Sequence, residues 1–159
     1  MPRVQARKTT QRWRASLGRT CAIVFALFFG AADGQGVFSV NQPWVKPGDR
    51  ASEAYMVLSS SDDARLVGAR CDLATRAIVR GKHGRAAAPL ELPAGRSVSL
   101  RPGAERIALS GLVRPLKLGD RVRLNLTIET ADGARRDIAV DAEVRNQSPV
   151  DAELRAHRH

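Results

Sequence analysis

Residues 96–126, RSVSLRPGAERIALSGLVRPLKLGDRVRLNL, decide the fold of this chain because strand patterns and turn signals alternate within them. From Arg121 to Glu129 every second side chain is apolar and the side chains between are charged or polar. A period of two places the apolar side chains on one face of a β-strand and the polar ones on the other. The pattern is typical of an antiparallel sheet with one buried face and one solvated face.

Similar patterns extend over most of the remaining sequence and predict an all-β protein. The predicted strands are residues 37–45, 54–59, 65–70, 77–80, 97–100, 106–112, 121–130 and 135–144. Gly, Pro and Asp cluster between these segments, as turns require. Ala131-Asp132-Gly133 predicts a hairpin, because Asp-Gly accepts the positive φ of such turns. Short strands with regular turns predict an antiparallel β-sandwich around one core.

The first 34 residues are predicted to be a signal peptide. Six basic residues and no acidic residue occur before the end of an apolar run at residues 21–32, CAIVFALFFGAA. This run has the length of a signal-peptide core and is short for a membrane span. Cleavage is expected after Ala32 or Gly34, and a retained N-terminal anchor is the alternative. We therefore expect a periplasmic or secreted protein that contacts the membrane only through an uncleaved leader.

Two further segments follow the leader. Residues 35–145 carry the strand patterns and are predicted to form the single folded domain. Residues 146–159, NQSPVDAELRAHRH, are polar and end in His-x-His. Such a composition does not bury enough apolar surface to fold by itself, so we expect a flexible tail.

The charge of the chain does not indicate a nucleic-acid partner. The net charge is +10, from 26 basic and 16 acidic residues. Six of the basic residues precede residue 33, which leaves 20 basic and 16 acidic residues and a net charge of +4. That balance is typical of a solvated surface, and no nucleic-acid-binding motif accompanies it. The sequence also lacks HExxH, CxxC and phosphate-binding glycine motifs, so no enzyme is predicted.

Cysteine usage predicts no disulfide in the processed chain. Cys21 would leave with the leader, and Cys71 would then be a single thiol. A free cysteine is usually a small buried residue, which is the favoured interpretation of Cys71. A thiol that cross-links or binds metal weakly is the alternative.

Short motifs along the chain follow one another as in the PCu(A)C family of periplasmic copper chaperones. They are PW at 43–44, AYMVL at 54–58, RLVGA at 65–69, LPAG at 92–95, LRPG at 100–103 and GL, PL and GD between 111 and 120. The chain resembles this family over residues 40–144. The resemblance implies a cupredoxin-like antiparallel β-sandwich and a role in copper handling. It further implies a respiratory oxidase subunit or another periplasmic copper protein as the partner.

The resemblance also implies where the copper ligands would be. The family binds Cu(I) with two His and two Met, and Cu(I) favours thioether sulfur with imidazole as a compatible ligand. The first His position is Arg80, and the His-x-Met pair is Arg106 and Ala108. The loop that should carry the other Met is shortened to GKHGRAAAP at 81–89 and has none. Arginine offers no lone pair to a metal, so the core Cu(I) site is predicted to be lost.

Two hypotheses about function therefore remain open. In the first, the protein still handles copper through weak ligands outside the core site, namely His83, His157 and His159. In the second, it is a metal-free periplasmic binding module. Its partner face, for a protein or an anionic ligand, would be formed by Arg80, Lys82, Arg85 and Arg106. The alternative for these residues is an ordinary solvated surface, with the arginines paired to acids such as Glu105.

Overall fold

The computed structural model describes residues 36–149, and the regular secondary structure of this part of the chain is almost entirely β-strand. In chain order the strands are β1 (Phe38–Val45), β2 (Ala51–Ser60), β3 (Ala64–Cys71), β4 (Ala74–Arg80), β5 (Leu90–Leu92), β6 (Ser97–Leu100), β7 (Arg106–Leu112), β8 (Arg121–Thr130) and β9 (Arg135–Val144). One 3-10 turn, Lys82–Gly84, follows β4. The prediction of an all-β protein is confirmed. Within residues 36–149 no helix is long and apolar enough to cross a membrane.

The predicted leader at 1–34 and the tail beyond residue 149 lie outside the described residues. Their assignments therefore stay predictions.

Seven of the strands form a barrel-like ring. The order β1-β9-β8-β3-β4-β7-β2 returns from β2 to β1, while β5 adds to β3 and β6 adds to β2. Pairing between the described strands is antiparallel everywhere except between β1 and β9. Two joints of the ring are short, with two residue pairs between β1 and β9 and one pair between β3 and β4. The ring is therefore held mainly by its antiparallel ladders.

The interior of the ring is the hydrophobic core. On β8 the side chains of Val122, Leu124 and Leu126 are fully buried, whereas Arg121 and Arg123 are exposed. Apolar side chains from the other strands of the ring meet them in one cluster. Burial therefore alternates along β8 with the period of two that the sequence predicts.

Two residues with ambiguous chemistry lie in this core. Met56 is 2% exposed and packs in the main cluster, which agrees with its interpretation as a core side chain. Cys71 is also buried, and its burial raises the pKa of the thiol. A raised pKa keeps the sulfur protonated at neutral pH, so Cys71 is poorly suited to bind metal or react.

The bounds of several strands differ from the prediction. β6, β7, β8 and β9 begin and end at the predicted residues, whereas β2 and β4 each begin three residues earlier. The added residues of β2 pair with β7. The extension of β2 therefore depends on its neighbouring strand, and the local sequence pattern does not predict it. β5 was not predicted, because prolines flank this three-residue segment on both sides.

Candidate functional site

A groove of about 470 Å³ lies on the outer face of the sheet where β2, β7 and β4 are neighbours. Ile107 and Leu109 of β7 point into the core and are fully buried. Because side chains alternate along a strand, Arg106, Ala108 and Ser110 point outward and line the groove. The groove is thus built from the solvent-facing positions of a core strand.

Strand register places the predicted copper positions side by side in this groove. Arg80 of β4 lies directly opposite Arg106 of β7, and Ile78 lies opposite Ala108. On the other side of β7, Ala108 lies opposite Glu53 of β2. Ala108 therefore forms part of the floor between Ile78 and Glu53, and its methyl group leaves open the space that a longer side chain would fill.

Both arginines hold the turn that follows β4. Arg80 donates a hydrogen bond from Nη1 to the carbonyl oxygen of Gly84 at 2.7 Å. Arg106 donates from Nη1 to the carbonyl of Ala104 at 3.1 Å and to that of Gly81 at 3.4 Å. The two arginines at the predicted ligand positions therefore tie the loop at 81–89 to the ends of β4 and β7.

Arg106 also forms an ion pair with Glu53. Its Nε lies 2.6 Å from Glu53 Oε1, without the angular geometry of a hydrogen bond. The hydroxyl of Tyr55 donates to the other carboxylate oxygen, Oε2, at 2.5 Å. Burial raises the pKa of Glu53. The Tyr55 hydrogen bond and the Arg106 charge together lower this pKa by more than burial raises it, so it lies below the usual range. Glu53 is therefore a stable carboxylate within a cationic site.

Tyr55 is held firmly in this network. Its ring contacts the indole of Trp44, with 4.5 Å between the ring centroids. Burial, followed by the hydrogen bond to Glu53, raises the pKa of its hydroxyl. Tyr55 therefore stays neutral and serves as a hydrogen-bond donor.

The alternative interpretation paired the arginines with acids such as Glu105, and for Arg106 this acid is wrong. The acid that pairs with Arg106 is Glu53, which is distant in sequence and comes beside it only through the pairing of β2 with β7. No local sequence signal marks this contact. A correct alignment of the two strands would have been needed to find it.

The predicted cationic face is divided by the structure. Arg80 and Arg106 line the groove, whereas Lys82 and Arg85 are exposed on the turn and are not among the lining residues. Two further basic side chains line the groove, Lys46 and Arg76, and neither was predicted from the sequence. A signal for Arg76 was present, since it shares an outward face with Ile78 and Arg80 by the period of two.

Of the candidate weak metal ligands, only His83 lies within residues 36–149. His83 is exposed within the turn, in a left-handed conformation with φ of 60°. Between residues 36 and 149 no group of three or more His, Cys, Asp and Glu side chains could hold a metal ion. His157 and His159 lie outside the described residues, so their part in metal binding stays a prediction.

Comparison with known proteins agrees with the sequence motifs. The model of the LpqE-like family matches residues 38–144. The apo PCuAC domain from PmoF1 is 20% identical, with a TM-score of 0.59 over 69% of this chain and 94% of that domain. The copper-bound PCuAC domain from PmoF2 is 19% identical, with a TM-score of 0.55 over 69% of this chain and 93% of that domain. These two likenesses concern the fold.

A third similar structure is the Cu(I) form of DR1885 from Deinococcus radiodurans. It is 29% identical, with a TM-score of 0.54 over 73% of this chain and 84% of that protein. A search of curated proteins gave no match. The LpqE-like family is described as a family of lipoproteins, which agrees with a location outside the cytoplasm. The chain belongs to the LpqE-like family, and its resemblance to the PCuAC copper chaperones is confirmed.

Proposed function

We propose that this protein is a PCuAC-type binding module that does not hold Cu(I) at the family's position and takes an anionic group in the same groove. The observation that carries the proposal is the pair of arginines, Arg80 and Arg106, on opposed residues of β4 and β7. A guanidinium has no lone pair for a metal and repels a cation. The same two groups attract a carboxylate or phosphate and can bind it in a bidentate manner.

The charges of the groove support an anionic ligand. Four cationic side chains line it, and the only acidic residue among the lining residues is Glu53. Arg106 neutralises Glu53, while Arg76 and Arg80 make no ion pair with a carboxylate within residues 36–149. Arg80 uses one N–H on the carbonyl of Gly84 and, of the five that a guanidinium carries, keeps others for a ligand.

Copper handling through other residues is the second candidate, and family membership favours it. In this case His83, together with His157 and His159 of the tail, would bind Cu(II) or Zn(II), both of which accept imidazole. Delivery toward a respiratory oxidase subunit or another periplasmic copper protein would be the context. The observation in its favour is the exposed position of His83 on the turn beside the arginine pair.

The proposal also covers processing of the chain, its domain bounds, its location and its fold. We infer a cleaved leader at 1–34, a domain at 35–145 and release into the periplasm. The cupredoxin-like sandwich is supported by the two short joints of the ring, which let it divide into two facing sheets. Like the chaperones it resembles, the module is proposed to bind and not to catalyse.

A Cu(I) titration against a competing chromogenic chelator tests the proposal. It uses the chain that begins after Gly34, the same chain ending at Pro149, and the His83→Ala variant. The chain that ends at Pro149 is expected to bind no Cu(I) tightly, because its groove carries arginine in place of imidazole. Tight one-to-one binding by that form would contradict the proposal. A parallel Cu(II) titration of the same three forms tests the second candidate, and Cu(II) binding that depends on the tail or on His83 would favour it.

A further inference from the structure

We infer that the groove is shaped for an elongated dianion, in which an apolar spacer separates two negative groups. This inference rests on the proposed anionic ligand and specifies its class. It follows from the side chains that β4 presents to the groove, which are cationic at both ends and apolar between them.

Every second residue of β4 faces the groove. Arg76, Ile78 and Arg80 all line it, and a strand rises about 3.3 Å per residue. The backbone positions of Arg76 and Arg80 are therefore about 13 Å apart. Arg106 lies opposite Arg80 at one end, and Ser110 lies opposite Arg76 at the other. Each end thus offers a cation, and the second end adds a hydroxyl.

The middle of the groove does not favour a negative group. Ile78 and Ala108 lie opposite one another and give an apolar floor. Glu53 lies opposite Ala108 on the other side, but its carboxylate is held by Arg106 and Tyr55. An anion placed in the middle would lie on an apolar surface, which is costly. An aliphatic spacer fits the middle, and the two negative groups fit the ends.

The size of the groove agrees with such a ligand. Its volume of about 470 Å³ lies within the range of sites for small molecules. Two sources could present the chemistry. One is a straight-chain dicarboxylate, and the other is an extended peptide whose acidic residues flank an apolar one, since alternate side chains of such a peptide share one face.

Isothermal titration calorimetry of the domain, as the chain that begins after Gly34, tests the inference with four probes. The probes are sebacate, the shorter dicarboxylate succinate, the monocarboxylate decanoate and the peptide Glu-Ser-Leu-Ser-Glu. Sebacate is expected to bind about tenfold more tightly than succinate or decanoate, because only sebacate reaches both ends. Arg76→Gln and Arg80→Gln are each expected to remove about this tenfold gain. Arg96→Gln, an exposed arginine outside the groove, is the matched control and should change nothing.

The outcomes distinguish failure of the elongated ligand from failure of the anion site. If succinate binds as tightly as sebacate and Arg76→Gln has no effect while Arg80→Gln weakens both, the elongated ligand is overturned and the anion site stands. If no probe binds the unmodified domain, both proposals fail. If the peptide binds more tightly than sebacate with the same dependence on Arg76 and Arg80, the inference holds and the source is a protein segment.

Discussion

Glu53 is the residue on which the electrostatics of the groove depend. Its carboxylate faces Arg106 and accepts a hydrogen bond from Tyr55, and these contacts lower its pKa despite burial. A carboxyl whose pKa is lower in the folded than in the unfolded chain stabilises the fold above its unfolded pKa. That stabilisation is lost as the pH falls through the lower, folded pKa.

We therefore expect acid to destabilise the unmodified protein more steeply than the Glu53→Gln variant. The difference should develop below about pH 4.5, the usual value for this group, because the variant has no carboxylate to protonate. Urea midpoints measured from neutral to acidic pH test this. Glu91→Gln, at an exposed position, controls for loss of a negative charge elsewhere. Parallel pH profiles for Glu53→Gln and the unmodified protein would contradict the role of Glu53.

The candidate site was partly predictable at this scale. The resemblance placed Arg80, Arg106 and Ala108 at ligand positions, and the register of β4 with β7 brings them together. The role of Glu53 could not be predicted from the sequence, because its contact with Arg106 depends on which strands pair. Family motifs report positions within a fold, whereas new ion pairs depend on the neighbours that the fold supplies.

Gly111 of β7 is constrained both by its backbone conformation and by its contact with β4. Its φ is 65°, and a Cβ built on it would lie 2.6 Å from Oγ1 of Thr75 on β4. Thr75 uses that oxygen to donate to the Gly111 carbonyl at 2.9 Å. A side chain at 111 would thus strain the backbone and also displace a hydrogen bond between the two strands that carry the groove.

Gly111→Ala is expected to lower the free energy of unfolding by about 2–3 kcal/mol, from left-handed strain together with the Thr75 contact. Gly119→Ala is the matched control, since φ there is 85° and nothing lies within 4 Å of the built Cβ. It should cost about 1 kcal/mol from the backbone alone. Urea unfolding of both variants measures the difference, and equal losses would show that the Thr75 contact contributes nothing.

Strand prediction succeeded where the local pattern and the burial agree. β8 alternates from Arg121 to Glu129 and β9 from Asp137 to Val144, and the bounds of both strands were predicted. The hairpin between them was predicted as well, and Thr130 donates from its backbone to the Ala134 carbonyl at 2.9 Å across the turn. β5 has three residues and no period to detect, so only its pairing with β3 defines it.

For the whole molecule, the ring fixes the groove strands in register, so the scaffold should accept the missing ligands. Arg80 and Arg106 are directly paired, which places side chains at these positions about 5 Å apart at Cβ. We expect the combined variant Arg80→His, Arg106→His and Ala108→Met to bind one Cu(I). Two imidazoles and a thioether would then face the same groove, and Cu(I) favours this set. Competition with a chromogenic chelator measures the gain.

The design of that variant must respect Glu53. Arg106→His removes its cationic partner, and an unpaired, half-buried carboxylate would destabilise the fold. Glu53→Gln is therefore included, and circular dichroism verifies that the sheet is retained. Arg76→His with Ser110→His and Ala108→Met, also in the Glu53→Gln background, places two imidazoles and a thioether at the other end of the groove and serves as the control. If the control binds Cu(I) as tightly, any opposed pair on this sheet is sufficient. If only the first variant binds, the proposed loss of the Cu(I) site follows from the side chains of this chain and not from its fold.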